Sequence, residues 1–277
     1  MKRNYLFAAA AIAGVLVAAS YYSQREQVGL VATRENGSTS SVAVIRGKPK
    51  SSGTHEYKGS LGLVVPAGSY QQVVKRLERS AQLGNSEAAF GLYLKSNACF
   101  QALSSQLSDE EIKAYAAAGI RPEQLESSIS KALGDCKDAS PELLAKRGQW
   151  LRQAARDGNV EARLLYATDS EAAIGDARDM LRDPGRVSEY KKEAVKYLTE
   201  SAATGNVDAM ARLGDVYRDG ILAEKSIQLS YSYYRAAENV SPGLYGERLM
   251  RMRSKMTPDQ IDISERRAST LSGACCS

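Results

Sequence analysis

Three stretches of the chain, residues 77–88, 151–162 and 198–209, superimpose without a gap. Each carries Leu and Ala four residues apart (Leu77/Ala81, Leu151/Ala155, Leu198/Ala202), then Gly-Asn, then an acid and an Ala. A spacing of four puts Leu and Ala on one helix face, where the small Ala lets a neighbouring helix come close. Gly84, Gly158 and Gly205 can take the left-handed conformation that closes a helix, and Asn85, Asn159 and Asn206 suit the N-cap of the next one. Glu87, Glu161 and Asp208 then fall in a first turn, where the helix dipole favours a carboxylate by about 0.3–1 kcal/mol. A hairpin of this kind cannot bury its apolar face alone. Three copies therefore predict an all-α fold, an α-solenoid of stacked hairpins with a continuous core and atypical ends.

The rest of the chain beyond residue 69 fits that frame. Ala-, Leu-, Glu-, Lys- and Arg-rich segments with helical spacing predict helices near 69–83, 86–104, 108–118, 122–134, 141–157, 160–167, 170–182, 188–204, 207–219, 225–239, 242–255 and 258–272. Ser108-Asp109-Glu110-Glu111 and Thr257-Pro258-Asp259-Gln260 have the capping-box pattern and give the firmest boundaries. The last two helices are expected to close the open face with Leu244, Leu249, Met252, Ile261, Ile263 and Leu271. Trp150 and Tyr197, each eight residues before a repeat Gly, read as packing residues, as do Tyr93, Tyr166 and Tyr217.

Residues 1–19 read as a secretory leader: Lys2-Arg3, then an apolar run from Tyr5 to Ala19 ending in the small residues Val17-Ala18-Ala19. As a helix that run reaches only about 22 Å against a hydrocarbon core of about 30 Å, so cleavage after Ala19 is favoured over an uncleaved anchor. Either outcome places the body in the periplasm, free or tied to the inner membrane and facing the periplasm. Residues 20–68 are rich in Gly, Ser and Thr and read as a flexible tether, with one short strand-like run at 41–46. The domain of repeats is 69–277. Net charge is +5, falling to +3 once a leader carrying Lys2 and Arg3 is removed, too modest for a nucleic-acid partner.

The third repeat continues as Leu213-Gly214-Asp-Val-Tyr217-Arg-Asp-Gly220, and Tyr233-Tyr234-Arg-Ala236-Ala237-Glu238 follows as the next closing helix. With the Gly-Asn turns, these residues make the chain resemble the Sel-one-like repeat family, a branch of the tetratricopeptide-like helical solenoids. The likeness covers about residues 69 to 240. The first two repeats depart from it, with Phe90-Gly91-Leu92-Tyr93 and Leu164-Leu165-Tyr166-Ala167 lacking the full pattern, and with Gly-to-Gly spacings of 74 and 47 residues. The resemblance implies a superhelix and scaffolding roles: assembling an envelope complex, supporting a secretion or polysaccharide system, or restraining a membrane sensor.

The chemistry-bearing residues are sparse. His55, the single His, sits in the tether, and the four Cys show no CxxC, which leaves no His/Cys metal site and no His-dependent triad. Cys99, Cys136, Cys275 and Cys276 allow three pairings. Cys99–Cys136 is favoured because both flank the long insertion of the first repeat, and closing such a loop stabilises by about 3–4 kcal/mol in the chain-entropy model. Cys275 and Cys276 can form a vicinal ring, bridge to another chain, or take Cys99 and Cys136 as separate partners.

Ser128-Ile-Ser-Lys131 and Ser188-Glu-Tyr-Lys191 have the SxxK spacing of penicillin-recognising enzymes, and some proteins similar to the Sel-one-like family are described as weak beta-lactamases; SDN and KTG companions are absent here. The reading is thus a non-enzymatic scaffold without a cofactor, binding a protein or peptide partner in the cell envelope and touching the membrane only through an uncleaved leader. Its expected binding residues are Tyr231, Tyr233 and Tyr234, which cover two helix faces so that at least one is left as an exposed anchor, with Arg248 and Arg251. Two other classes stand beside it. One is a cell-wall-active hydrolase or penicillin-binding activity in the insertion, with Ser128 facing Lys131. The other is an envelope polyanion binder using Arg248, Arg251, Arg253 and Lys255.

Overall fold

The structure is a computed structural model that describes residues 63–104 and 108–273. The leader, most of the tether with its strand-like run and His55, and Cys275 and Cys276 lie outside the described residues. Among the described residues the regular structure is helical throughout.

The first helix, α1 (Tyr70–Gln82), starts at a capping box in which Ser69 Oγ accepts from the Gln72 amide and the Gln72 side chain accepts from the Ser69 amide. It is followed by α2 (Ser86–Ser104), α3 (Asp109–Ala117), α4 (Pro122–Cys136), α5 (Pro141–Ala145), α6 (Arg147–Arg156) and α7 (Val160–Tyr166). Then come α8 (Ser170–Ile174), α9 (Ala177–Arg182), α10 (Pro184–Ala203), α11 (Val207–Asp219), α12 (Ile227–Val240), α13 (Gly246–Arg253) and α14 (Pro258–Gly273). The expected boxes at Ser108/Glu111 and Thr257/Gln260 both form. Two expected helices are each broken in two. Residues 141–157 divide at Lys146, and 170–182 divide at Gly175, whose φ of 93° stops α8 before Asp176 caps α9. The helix expected at 188 begins at Pro184, a residue preset for a first turn, with Asp183 capping it.

The three Gly-Asn turns are built alike. Gly84, Gly158 and Gly205 have φ of 90°, 97° and 85°. Their amides donate to Ala81, Ala155 and Ala202, while the following Asn amides reach one residue further back, to Ser80, Ala154 and Ser201. That pair of bonds is the Schellman closure, which satisfies carbonyls a helix end otherwise leaves open. Each Asn side chain then accepts from the amide three residues on, at 2.9, 2.7 and 2.8 Å. The first two turns are also tied to each other: Asn159 Nδ2 donates to Glu87 Oε1 (2.8 Å), and Gln153 Nε2 donates to the Ala81 carbonyl (2.5 Å).

Packing runs in one sequence. α1 packs on α2, α2 on α6, α6 on α7, α7 on α10, α10 on α11, α11 on α12 and α12 on α14. The repeat Leu and Ala residues fill the seams: Leu151, Ala155, Leu198, Ala202 and Leu213 are all buried. Burying a Leu side chain is worth about 1.5–3 kcal/mol, so these positions carry much of the cohesion between hairpins. Leu222 and Ala167 touch both the core around α2, α6 and α7 and the core around α11 and α12, which makes the two continuous.

The insertion α3–α4 stands apart from this sequence. α3 buries no residue and α4 buries only Cys136, which is bonded to Cys99 of α2, the pairing expected from the loop they flank. Along the same seam the buried Lys95 ammonium faces Asp135 at 3.7 Å. At the other end the closing face differs from expectation. Leu249 is buried and Met252, Ile261 and Leu271 pack partly, but Leu244 and Ile263 are exposed. α14 lies against α12 through Ser264 and Ala268 instead, since small residues allow the closer approach.

Candidate binding surface

The three tyrosines expected to supply an exposed anchor are all inside. Tyr231, Tyr233 and Tyr234 are 2%, 9% and 0% exposed. α12 is sandwiched between α11 and α14 and has α13 beside it, so both of its aromatic faces are covered. Tyr233 stacks on Tyr217 with ring centroids 5.7 Å apart, Tyr231 donates to Glu265 Oε1 (2.6 Å), and Tyr234 donates to Asp215 Oδ1 (2.6 Å).

The expected arginines are occupied as well. Arg248 Nη1 donates to the Tyr234 hydroxyl (2.6 Å) and lies 3.4 Å from Asp215, with its guanidinium 4.7 Å from the Tyr234 ring centre. Arg218 donates to the same hydroxyl and pairs with Asp215 and Asp219; the bond to Asp219 leads in holding its guanidinium more basic than usual. Arg251 pairs with Glu247 at 3.1 Å, one helical turn away, and Arg253 lies 3.9 Å from Glu265. Three of the four cations proposed to receive a polyanion therefore face carboxylates of the chain, while Lys255 makes no such pair among the described residues.

The same device recurs through the core. Tyr93 donates to Asp169 (2.6 Å) and Tyr166 to Glu193 (2.5 Å), each hydroxyl reaching a carboxylate on another segment. Burial and the facing carboxylate push the Tyr93, Tyr166 and Tyr234 hydroxyls well above the usual tyrosine range. These tyrosines are structural, as is Trp150, which packs partly buried against the first core.

No nucleophile–base pair is assembled at either SxxK segment. Ser128 and Lys131 are both exposed on α4, and the Ser128 hydroxyl donates to the Gln124 carbonyl (2.8 Å). Ser188 and Lys191 do share a surface, but no hydrogen bond joins them. Among the described residues, no three His, Cys, Asp or Glu side chains gather as metal ligands require.

That shared surface lies along an open concavity. An open groove of about 550 Å³ runs between α10 and the loop after α11, lined by Ser188, Lys191, Lys192, Val195, Lys196, Leu222 and Ala223. The helical residues sit at i, i+3, i+4, i+7 and i+8, one face of α10. Val195, Leu222 and Ala223 make an apolar floor, and the three lysines stand at its rim. Lys196 reaches Glu200 at 3.8 Å, whereas Lys191 and Lys192 make no ion pair among the described residues. Ile221, next to the floor, is exposed. Sequence reading passed over this site. The lysine stripe on α10 is visible as spacing, but the loop residues join it only through the fold.

Comparisons with protein-family models, with curated proteins and with solved structures returned no match to this chain.

Proposed function

We propose that this chain is an exported, non-enzymatic interaction scaffold. On this reading it is an α-solenoid of Sel-one-like hairpins that acts in a bacterial periplasm by holding a protein or peptide partner of the envelope. The contact face is the groove between α10 and residues 221–223. The solenoid reading draws on the order of packing, in which each helix of the repeats packs chiefly on near neighbours, and on the three equivalent Gly-Asn turns.

The groove carries the binding reading. It joins an apolar floor to Lys191 and Lys192, which pair with no carboxylate among the described residues. An apolar side chain seated on the floor gains about 25 cal/mol per Å² removed from water, while carboxylates of the partner meeting the rim set orientation and speed encounter. The wall-active reading draws little from Ser128, whose hydroxyl is spent on its own helix, and the polyanion reading draws little from arginines already paired.

The test is to cross-link the native protein in its own envelope and identify what co-purifies under non-reducing conditions. The scaffold reading expects a recurrent protein partner, lost in the K191E/K192E variant. Recovery of glycan or peptidoglycan fragments with no protein partner would overturn it.

A further inference from the structure

An apolar floor with a lysine rim calls for an occupant that offers carboxylates around apolar side chains, and one segment of this chain has that chemistry. Over residues 109–138 acids outnumber bases seven to four. The segment folds as the arm α3–α4, whose helices are almost wholly unburied. Leu125, Ile129 and Leu133 recur every four residues along α4, and Ile129 and Leu133 are exposed, as is Ile112 on α3. Glu123 and Glu126 lie in the first turns of the same helix. Such an apolar, acid-flanked stripe on an exposed helix is a docking element in form.

The arm is also fixed at its base. The Cys99–Cys136 disulfide and the Lys95–Asp135 pair hold the end of α4 on α2, so little freedom is lost when the arm docks. It belongs to the α2 end of the packing order, three steps before α10, and its helices do not pack on α10. The segment 20–62 is no rival occupant, because its charge has the wrong sign: six bases to three acids.

The geometry points to head-to-tail self-association, in which the acidic, apolar α3–α4 arm of one copy seats in the lysine-rimmed α10 groove of the next. The inference rests on the groove being the contact face and names a second copy as its partner. Arm and groove are different patches, so the contact is heterologous, and each added copy leaves one arm and one groove free for further growth.

The test is analytical ultracentrifugation of the purified, oxidised full chain at low salt, from about 1 to 300 μM, the range in which a modest interface shows its concentration dependence. Wild-type chain is expected to assemble beyond a dimer as concentration rises. E123K/E126K (arm) and K191E/K192E (groove) each bring like charges together and should each stay monomeric, with helical content and disulfide intact. Mixing the two variants restores opposite charges at every junction and should restore assembly. Wild-type chain that stays monomeric throughout, variants that assemble like wild type, or a mixture that stays monomeric would each overturn self-association. A monomeric chain whose envelope cross-link to a foreign protein still depends on Lys191 and Lys192 would overturn only the second-copy occupant and leave the scaffold reading standing.

Discussion

At the scale of single residues, the recurring device is a buried tyrosine whose hydroxyl is spent on a carboxylate of another segment. Asp169 shows how tightly such a group is used, since Oδ2 accepts from Tyr93 while Oδ1 caps α8 through the Ala172 amide. Tyr93→Phe removes one bond and should cost about 1 kcal/mol. Asp169→Ala removes the cap as well and leaves a buried hydroxyl unpaired, so it should cost about 2–4 kcal/mol in urea unfolding. The same tyrosines set the alkaline limit. Tyr93, Tyr166, Tyr190 and Tyr234 hold their protons above the usual value of 10.0 because burial disfavours the phenolate. The unfolded chain releases those protons first. Their contribution is therefore full below pH 10 and declines as pH rises toward the folded values. Unfolding followed against pH should show stability falling above pH 10, with the phenolate absorbance of these buried tyrosines rising only as the chain unfolds.

At the scale of elements, close approach decides which substitutions matter. A Cβ on Gly148 of α6 would stand 1.7 Å from the Ala172 carbonyl oxygen of α8, and backbone cannot step aside as a side chain can. Gly148→Ala should cost about 3 kcal/mol, the upper end of overpacking. Gly134 in α4 meets nothing within 4 Å, and Gly134→Ala should raise stability by about 0.5–1 kcal/mol. Both are read by denaturant midpoint. The link between α12 and α13 turns on Glu238, which accepts from the amides of Gly243, Leu244 and Tyr245. Partial burial works to raise its carboxyl, but the three amides outweigh that and hold it below the usual 4.5. This stabilisation is present above pH 4.5 and lost as pH falls through the lower folded value. Wild type should exceed E238Q in melting temperature at pH 7, with the gap closing in acid.

The helices and Gly-Asn turns were legible because each signal is local: a cap, a Gly and an apolar repeat within a few residues. The burial of Tyr231, Tyr233 and Tyr234 was not legible. A helix with aromatic residues on two faces looks half exposed until α14 is known to cover one of them. The groove escaped for the same reason, since Leu222 and Ala223 meet Val195 only after α10 and α11 pack.

At the scale of the whole molecule, the proposed solenoid makes cohesion a matter of neighbours. Each hairpin leans on the one before and the one after, and the inter-turn bonds from Asn159 and Gln153 join adjacent units only. A binding face on α10 can then be altered without disturbing the arm on α2, which is what the paired variants above require. The direct measurement is residue-resolved hydrogen–deuterium exchange of the full chain, wild type against Asp169→Ala. A nearest-neighbour stack predicts faster exchange in α2 and α6–α8, with amides of α11, α12 and α14 at wild-type rates. Equal acceleration from α2 to α14 would mean that the chain opens as one cooperative block, and would contradict the account.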